Sequence, residues 1–441
     1  MENSCSIVLD LGTSSVKYGM VTGTNRVLCH GALPIRFTAS RSSWETDVEE
    51  LFNETLNALS DMVRKAEREG YYGNVLLITS QANTFVAVDS SIRPLIPGIV
   101  WIDARADAEA VQLRKEFPDF REWSGIFEVR PTHYIAKLLW LKNNMPDIVT
   151  GSLYFPLINE YFALKLTGSY FSDYSNRGMS GLLDIHRLKV PEKVVRFLGL
   201  DLSTQPEVAP SCGLAYPLKP EMAERIGVPQ GCRVLLAGND QSSSAVGSGV
   251  TGPETLSVTF GTAQTFYTLV EKMPASLTAA MSRGEVFGRS PLDPFYFHIK
   301  FEENCGLMLE REKENRFPDL SYDELFELYQ RDQMKPEQYY LGFDKRIDLN
   351  DLNDRADIDI ETVIDYIISV FFTNLELFES AHPIQKIVIS GGLSQSPLWR
   401  QILSEISGRT IVGAEDRLGA LVGAARIYKH HYPDVYSAQT V

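Results

Sequence analysis

Short apolar runs alternate with longer stretches of helical periodicity along most of this chain. The apolar runs that predict buried strands lie at residues 7–10, 74–79, 233–237 and 384–390. Apolar residues recur with helical spacing, and so predict helices, at residues 55–69, 133–144, 360–380 and 398–407. Strands that alternate with helices are typical of α/β layers, so the pattern predicts an α/β fold.

A pattern of strand, Gly-Thr turn and second strand occurs twice. It spans residues 7–22 and again residues 256–268. The repetition suggests two related halves that face a common cleft, and we predict domains at residues 1–246 and 247–441. Three glycines and a proline cluster at residues 246–253, where we expect the hinge between the halves.

Composition narrows the function classes without choosing one. The 441 residues predict two or three domains, and 44% hydrophobic with 22% charged residues is ordinary for a globular protein. A net charge of −15 argues against a general binder of nucleic acid or anionic membranes. The five cysteines are scattered without a Cys-x-x-Cys pair, which indicates a reduced, cytoplasmic protein without a zinc site. Neither a leader for export nor an apolar run of about 18 residues is found in the sequence.

The first turn carries groups that suit phosphate. Gly12 allows a ligand to approach the backbone, and the N–H and hydroxyl groups of Thr13 and Ser14 can surround phosphate oxygens. Asp10, at the end of its strand, can hold a hydrated Mg²⁺ beside them. An ordinary hairpin with a polar turn would explain the same residues, so this motif alone leaves both interpretations open.

The second half carries a matching set. Gly261 and Thr262 could offer N–H groups and a hydroxyl to a terminal phosphate, although a plain hairpin turn has the same residues. Further on, a strand ends at Gly391 and Gly392, just before the predicted helix at residues 398–407. Bare glycine backbone near a helix N-terminus lets a base or ribose lie close to the chain.

Asp240 follows the predicted strand from residue 233 and the Gly-Asn turn at residues 238–239 in which that strand ends. The small residues at 242–249 predict a helix after Asp240. An aspartate in this position can be a helix N-cap worth about 1 kcal/mol. It can equally be the carboxylate that phosphoryl transfer requires, to take the proton of the attacking hydroxyl. The sequence leaves both roles open.

Taken in order, these motifs resemble those of the FGGY family of carbohydrate kinases, from about residue 7 to residue 427. The resemblance implies two ribonuclease H-like domains of the actin-like ATPase class around a central cleft, with ATP and Mg²⁺ as cofactors. It implies that Asp240 is the general base and that Asp10 and Asp240 hold the metal. The nucleotide-binding residues that it implies are Gly12, Thr13, Ser14, Lys17, Gly261, Thr262, Gly391, Gly392 and Ser396.

Residues 81–105 resemble the sugar-binding part of the family. Amides, carboxylates and guanidinium groups hold hydroxyl-rich substrates, with an aromatic wall against the carbon skeleton. The substrate-binding residues implied are Gln81, Asn83, Trp101, Asp103, Arg105, Asp240 and Gln241. For Asp103 and Arg105 an ion pair at a helix start is an equal alternative, and for Trp101 the alternative is core packing.

One departure from the family pattern concerns the substrate. Ala82 and Asn83 stand where glycerol kinases carry Arg-Glu and where xylulokinases carry Met-His, so the resemblance implies neither glycerol nor xylulose.

The expected function is ATP-dependent phosphorylation of a hydroxyl of a small sugar, ketose, polyol or sugar acid. We expect a cytoplasmic enzyme without nucleic-acid or membrane partners, and a homodimer stays open. One alternative is a degenerate sugar- and ATP-binding sensor, which would lack a base or metal ligand, yet Asp10 and Asp240 are both present. The other is an actin-like or Hsp70-like ATPase switch, which would not need the polar set between Gln81 and Arg105.

Overall fold

The computed structural model describes residues 3–261, 263–281, 283–302, 305–332, 360–414 and 418–435. The chain forms two compact units. The first comprises Met1–Gly247, Lys272–Phe297 and Leu418–Val441, and the second comprises Ser248–Glu271 and His298–Arg417. The domain limits expected from the sequence, 1–246 and 247–441, stay a prediction.

The first unit contains most of the secondary structure. Its strands before residue 247 are β1 (Ser4–Leu11), β2 (Ser15–Thr22), β3 (Val27–Pro34), β4 (Thr38–Ser40), β5 (Ser43–Thr46), β6 (Tyr72–Ser80), β7 (Gly98–Ile99), β8 (Phe171–Asp173), β9 (Glu207–Ala209), β10 (Tyr216–Pro217) and β11 (Arg233–Asn239). Its helices before residue 248 are α1 (Val48–Arg68), α2 (Asp107–Glu116), α3 (Phe120–Ser124), α4 (Tyr134–Asn144), α5 (Pro146–Gly151), α6 (Ile158–Thr167), α7 (Tyr174–Met179), α8 (Glu192–Leu198), α9 (Pro220–Ile226) and α10 (Asp240–Gly247).

The main sheet of the first unit has the strand order β10-β11-β6-β1-β2-β3. β1, β6 and β11 run parallel, whereas β1, β2 and β3 are joined by antiparallel hairpins. The three parallel strands are buried along almost their whole length, as expected for strands covered on both faces. Leu56 and Leu59 of α1 lie in one buried cluster with Leu9 and Leu76 of the sheet, so this helix covers one face.

Helix α1 begins earlier than its periodicity predicted. The sequence placed it from residue 55, but the helix starts at Val48. Asp47 precedes it, and one oxygen of its carboxylate accepts hydrogen bonds from the N–H groups of Glu49 and Glu50 at 3.0 and 2.9 Å. This cap satisfies two backbone donors that a helix start otherwise leaves unpaired, so the cap sets the first residue of the helix.

The second unit repeats the hairpin and the parallel neighbour. Its elements are β12 (Thr255–Phe260), β13 (Gln264–Val270), β15 (Tyr296–Glu302), α12 (Cys305–Arg316), α13 (Tyr322–Asp332), α14 (Ile360–Ala381), β16 (Lys386–Gly391), α15 (Pro397–Ser407) and β17 (Ile411–Gly413). Among the strands of this unit the order is β15-β13-β12-β16-β17, with β12 parallel to β16 and antiparallel to β13. Trp399 is fully buried there, stacked on Phe326 with ring centroids 4.8 Å apart.

Three further elements belong to the first unit although they come later in the chain. They are α11 (Leu277–Ala280), β14 (Val286–Arg289) and α16 (Gly419–His431). Among the described helices, none is both long and apolar enough to cross a membrane.

Helices α10 and α16 pack against each other almost backbone to backbone. A Cβ atom at Gly423 would overlap the carbonyl oxygen of Ser243, and one at Gly247 would overlap that of Gly419. Arg426 of α16 donates hydrogen bonds to the carbonyl oxygens of Val246 and Gly247 at 3.1 and 2.9 Å. Glycines in both helices are therefore required for this contact.

Gly423→Ala should lower the free energy of unfolding by about 3 kcal/mol, because the added methyl meets backbone that cannot rotate away. Gly178→Ala is the matched control, since its Cβ would lie 3.8 Å from Leu183 Cδ2, an ordinary contact. Urea denaturation of the two variants and the parent measures the difference. Equal stability of the two variants would contradict the close packing of α10 on α16.

Candidate active site

Three parallel strands of the first unit end at the same edge of the sheet. In the strand register Asp10 lies beside Thr79, and Ser80 lies between Leu11 and Asn239. The chain leaves these strands at Gly12, Gln81 and Asp240, so the sheet brings together three polar segments that are far apart in sequence. The C-terminal edge of parallel strands is where α/β proteins bind ligands.

The first turn is tightly folded. The N–H of Gly12 donates to the carbonyl oxygens of Asp10 and Ser15, at 3.0 and 3.2 Å, and the N–H of Ile35 donates to that of Ser14 at 2.9 Å. A Cβ at Gly12 would lie 3.0 Å from the carbonyl oxygen of Ser15, which is tighter than a side chain allows without adjustment. The predicted hairpin with its small-residue turn is therefore present, and Ser14 is exposed.

Asp10 is a buried carboxylate with unmet bonding capacity. Its Oδ1 is buried without a hydrogen-bond partner, and its Oδ2 lies 3.9 Å from Nζ of Lys17. Loss of hydration, with a smaller contribution from the charge of Asp240, raises the pKa of Asp10 to about 7, although Lys17 acts in the opposite direction. A buried oxygen that lacks a donor is a position where a cation would be stabilised.

Asp240 is the first residue of helix α10, but it is not the cap of that helix. Oδ1 of Asn239 accepts the N–H of Ser242 at 2.8 Å, which is the N-cap bond. Oδ1 of Asp240 accepts the N–H of Gln241, also at 2.8 Å. Burial raises the pKa of Asp240 to about 6, against the lowering effects of the Gln241 N–H and of Lys17. The capping role that the sequence left open for Asp240 belongs to Asn239.

The two carboxylates suit a magnesium ion. Mg²⁺ is commonly held by one or two carboxylates together with water and substrate phosphates, rather than by a cage of protein ligands. The described residues contain no group of three or more His, Cys, Asp or Glu side chains arranged for a metal. The unmet Oδ1 of Asp10 and its electrostatic interaction with Asp240 fit this donor set.

Helix α7 holds two of the strand ends in place. Oγ of Ser175 accepts the side-chain N–H of Asn239 at 2.7 Å, and Nδ2 of Asn176 donates to Oγ of Ser80 at 2.7 Å. Both residues of α7 are fully buried. The sequence analysis missed this support. The only signal was a run of polar residues, 172–176, that follows a helix rich in apolar residues.

Two of the predicted substrate contacts differ in their hydrogen bonding: the side-chain oxygen of Gln81 is available as an acceptor, whereas the side-chain amide of Asn83 is already hydrogen-bonded within the protein. Oε1 of Gln81 is buried without a partner, whereas its backbone N–H donates to Leu11 at 2.9 Å. Asn83 has a left-handed backbone, with φ of 65°, and its amide joins two helices. It accepts the N–H of Tyr134 at 2.9 Å and donates to the carbonyl oxygen of Met179 at 3.2 Å. Gln241 is partly exposed beside Asp240.

Asp103 and Arg105 form an ion pair that is buried rather than exposed. The guanidinium of Arg105 donates to both oxygens of Asp103 at 2.7 to 3.0 Å and to Glu45 at 2.7 Å. Asp103 also accepts the backbone N–H of Trp44 at 2.6 Å. Trp101, in the same loop, is 38% exposed, so it is not a core residue. The ion pair holds the loop from which Trp101 projects.

Lys137 is a fully buried cation that the sequence analysis also missed. Its Nζ donates to the carbonyl oxygens of Asn83 and Val100 at 2.8 and 2.9 Å. Burial lowers the pKa of Lys137 to about 7, although Asp103 opposes that effect. Its spacing from Tyr134 and Leu141 places it on the apolar side of α4, which was the available signal.

In the second unit the strand β16 ends in two glycines, as the sequence predicted. Gly391 has φ of 89°, and a Cβ there would overlap the carbonyl oxygen of Phe260, whereas Gly392 faces open space. A 3-10 turn at Gly392–Gln395 separates the strand from α15. Oγ of Ser396 caps α15 by accepting the N–H of Trp399 at 3.0 Å.

The second hairpin is present between β12 and β13, and Gly261 lies in its turn. The N–H of Gly261 donates to the carbonyl oxygen of Ala263 at 3.1 Å. Thr262, the predicted phosphate ligand beside it, lies outside the described residues.

Comparison with known proteins gives consistent matches. Sequence models of the FGGY family of carbohydrate kinases match residues 5–247 with the N-terminal domain and residues 361–428 with the C-terminal domain. A gluconokinase of Bacillus subtilis (strain 168) is 22% identical, over 94% of this chain and 85% of its own length. A xylulose kinase of the same organism is 21% identical, over 96% of this chain and 87% of its own.

A solved structure extends the likeness to the fold. The ligand-bound xylulose kinase from Lactobacillus acidophilus superposes with a TM-score of 0.85 at 18% sequence identity, over 98% of this chain and 90% of that chain. The predicted α/β class, with domains of the actin-like ATPase type, is confirmed.

Proposed function

Because this chain belongs to the FGGY family of carbohydrate kinases, and so phosphorylates a sugar at the expense of ATP, we propose that Asp240 is the general base of the transfer. Asp240 would take the proton of the attacking hydroxyl as the new O–P bond forms and the bond to ADP breaks. In phosphoryl transfer the protein mainly positions the reactants, stabilises the developing charge and provides this proton acceptor.

The observation that carries the assignment is the helix cap. Asn239 caps α10, so the carboxylate of Asp240 is not needed to satisfy that helix. Its raised pKa, near 6, makes it a stronger base than an ordinary aspartate while leaving it mostly ionised at neutral pH. The carboxylate of Asp240 is therefore not required to cap the helix, and its raised pKa gives it the basicity that the reaction requires.

Asp10 is the proposed magnesium ligand, with Asp240 contributing to the same site. When bound, Mg²⁺ supplies charge neutralisation for the phosphates of ATP. Without a cation the charge of Asp10 is unfavourable, chiefly because the carboxylate is buried and secondarily because Asp240 is near, as its raised pKa indicates. Lys17, whose side chain is 44% exposed, can reach both Asp10 and a phosphate oxygen.

The nucleotide contacts are proposed in two groups. In the first unit Thr13 and Ser14 would bind phosphate oxygens through N–H and hydroxyl groups. Gly12, whose own N–H is engaged within the turn, would let the phosphate come close to the backbone. In the second unit Gly261 and Thr262 would bind the terminal phosphate. Gly391, Gly392 and Ser396 would lie against the adenosine, and the open space at Gly392 suits this role.

The proposed substrate is a small sugar, ketose, polyol or sugar acid. Oε1 of Gln81, a buried acceptor without a donor, suits a substrate hydroxyl. Trp101 is exposed enough to form an aromatic wall, while Asp103 and Arg105 would act mainly by holding its loop. The amide of Asn83 already binds Tyr134 and Met179, so Asn83 would hold two helices in place beside the substrate rather than bind it through that amide.

The proposed place of work is the cytoplasm, where ATP is abundant. Four cysteines of the described residues, Cys5, Cys29, Cys212 and Cys232, are free thiols, which suits a reducing compartment. A homodimer stays a prediction.

A coupled ADP-release assay over a panel of ketoses, polyols, sugar acids and deoxysugars tests the proposed function. We expect one class to give sugar-dependent ADP release, well above release without sugar, with glycerol and xylulose among the poor substrates. Tight ATP binding without turnover on any sugar would favour the sensor alternative. ADP release that no sugar changes would favour an ATPase switch.

A further inference from the structure

One hydrogen bond joins the proposed phosphate turn to the proposed substrate loop. Nε1 of Trp101 donates to Oγ1 of Thr13 at 2.9 Å, across 88 positions of sequence. Both side chains are accessible, and both belong to the first unit. Neither side chain is therefore held by burial, and this bond fixes the direction of the indole relative to the Thr13 hydroxyl.

The two partners are anchored independently of each other. The backbone N–H of Trp101 donates to Oγ1 of Thr84 at 3.0 Å, and the carbonyl oxygen of the preceding Val100 accepts from Lys137 at 2.9 Å. On the other side, the N–H groups of Gly12 and Ile35 fix the turn around Thr13. The indole and the hydroxyl thus meet between two rigid supports, so the bond costs little ordering entropy.

The chemistry of the pair sets the direction of the hydroxyl. An indole N–H can only donate, so the oxygen of Thr13 must be the acceptor in this bond. The proton of the Thr13 hydroxyl is then free for another acceptor. A phosphate oxygen is such an acceptor, and a hydroxyl that already accepts a hydrogen bond is polarised into a better donor.

We propose that Trp101 is a positioning residue that orients the Thr13 hydroxyl toward the nucleotide phosphate and thereby couples substrate binding to ATP binding. The inference rests on the proposed function, because it takes Thr13 as a phosphate donor and Trp101 as a substrate wall. A substrate seated against the indole ring holds the ring in the plane that the bond requires. By linkage, ATP and sugar then raise each other's affinity by the same factor.

A double-mutant cycle read in ATP affinity tests the coupling. Thr13→Val should weaken Mg-ATP binding by about tenfold, as expected when a hydrogen bond to a charged group is lost. Trp101→Phe keeps an aromatic ring but removes the N–H, and it should weaken Mg-ATP binding severalfold. The double variant should bind no more weakly than Thr13→Val alone, because the two residues act through one bond. Isothermal titration calorimetry gives the four dissociation constants.

Two controls separate positioning from a structural defect. Thr13→Ser keeps the hydroxyl, so it should bind Mg-ATP within about twofold of the parent and should remain sensitive to Trp101→Phe. With a substrate from the panel, sugar should strengthen Mg-ATP binding in the parent, and Trp101→Phe should abolish that gain while still binding the sugar alone as well as the parent does. Trp101→Ala should also weaken the binding of the sugar alone. A general loss of packing would change all these constants together.

Two outcomes would overturn the inference while leaving the kinase function in place. One is a double variant whose loss of Mg-ATP affinity equals the product of the losses in the two single variants. The other is an unchanged Mg-ATP affinity in Trp101→Phe. Since the cycle needs no turnover, a failed sugar screen with intact coupling would count against the kinase reaction alone. A parent protein that does not bind Mg-ATP would remove both.

Discussion

Replacing Asp240 with asparagine should lower kcat by about 10²–10⁴ while ATP affinity stays close to that of the parent, the range expected for loss of a general base. Asparagine keeps the shape and accepts the N–H of Gln241, but it cannot take the proton of the attacking hydroxyl. The helix should be unaffected, because its cap is Asn239. Steady-state kinetics with the substrate from the panel, and calorimetry with Mg-ATP, measure the two quantities.

Asp201→Asn is the matched control for that variant. Asp201 is exposed, and its Oδ1 accepts the N–H of Ser203 at 2.8 Å, a bond that asparagine can also make. Its kcat should equal that of the parent. An Asp240→Asn enzyme that turns over at a rate close to normal would refute the assignment of the base.

The pH profile supplies a second readout. A base must be ionised, so kcat/KM should fall as the pH drops below the pKa of Asp240, near 6 in the free protein. Because Asp10 and Asp240 interact, the apparent pKa of this acidic fall in kcat/KM belongs to the two carboxylates together. The residual activity of Asp240→Asn should not show the fall in kcat/KM at acidic pH that protonation of Asp240 causes in the parent.

Replacing Asp10 with asparagine should produce opposite effects on activity and on stability. The amide removes the negative charge that attracts Mg²⁺, so half-maximal activity should require a higher Mg²⁺ concentration. Loss of an outer-shell partner typically lowers metal affinity by about 10–100-fold, and loss of a direct ligand should raise the requirement by at least that factor. Titration of activity with Mg²⁺ at fixed ATP measures this shift. An unchanged magnesium requirement would exclude Asp10 as the ligand.

Without metal, the same variant should be more stable than the parent at pH 8. The pKa of Asp10 is about 7 in the folded protein, above its ordinary value of 3.8, so ionisation destabilises the fold progressively from about pH 4 to pH 7. Removing that ionisation should raise the free energy of unfolding by about 4 kcal/mol at pH 8 and by less than about 1 kcal/mol at pH 4. Thermal unfolding in EDTA at the two pH values measures the gain. If Asp10→Asn were stabilised equally at pH 4 and pH 8, the charge of Asp10 would not be the cause of the stabilisation.

Local patterns in the sequence were sufficient for much of the fold. The apolar runs identified β1, β6, β11 and β16, and helical spacing identified α4, α14 and α15 within a few residues. These elements follow from the side chains of neighbouring residues, because burial of one face or of a whole run is already visible in their spacing. The start of α1 was missed because a cap, Asp47, set it seven residues earlier than the apolar pattern.

The candidate site could be predicted as a set of positions but not as a set of roles. Asp10 and Asp240 follow strands, and their chemistry suggested metal and base without any coordinates. Which aspartate or asparagine caps α10, however, depends on backbone geometry at residues 239–242, and the structure assigns that bond to Asn239. The same limit applies to the exposed ion pair considered for Asp103, which is fully buried against Trp44 and Arg105.

What the sequence by itself determined is therefore the main buried strands, several of the long helices, the glycine turns and the acidic groups at strand ends, since each depends on residues that are adjacent in the chain. What only the tertiary structure decided is which distant groups meet. The bond from Trp101 to Thr13, the bonds from Lys137 to the carbonyl oxygens of Asn83 and Val100 and the support of Asn239 by Ser175 join segments far apart in sequence. Burial and hydrogen bonding depend on all the surrounding chain, so no local pattern can specify them.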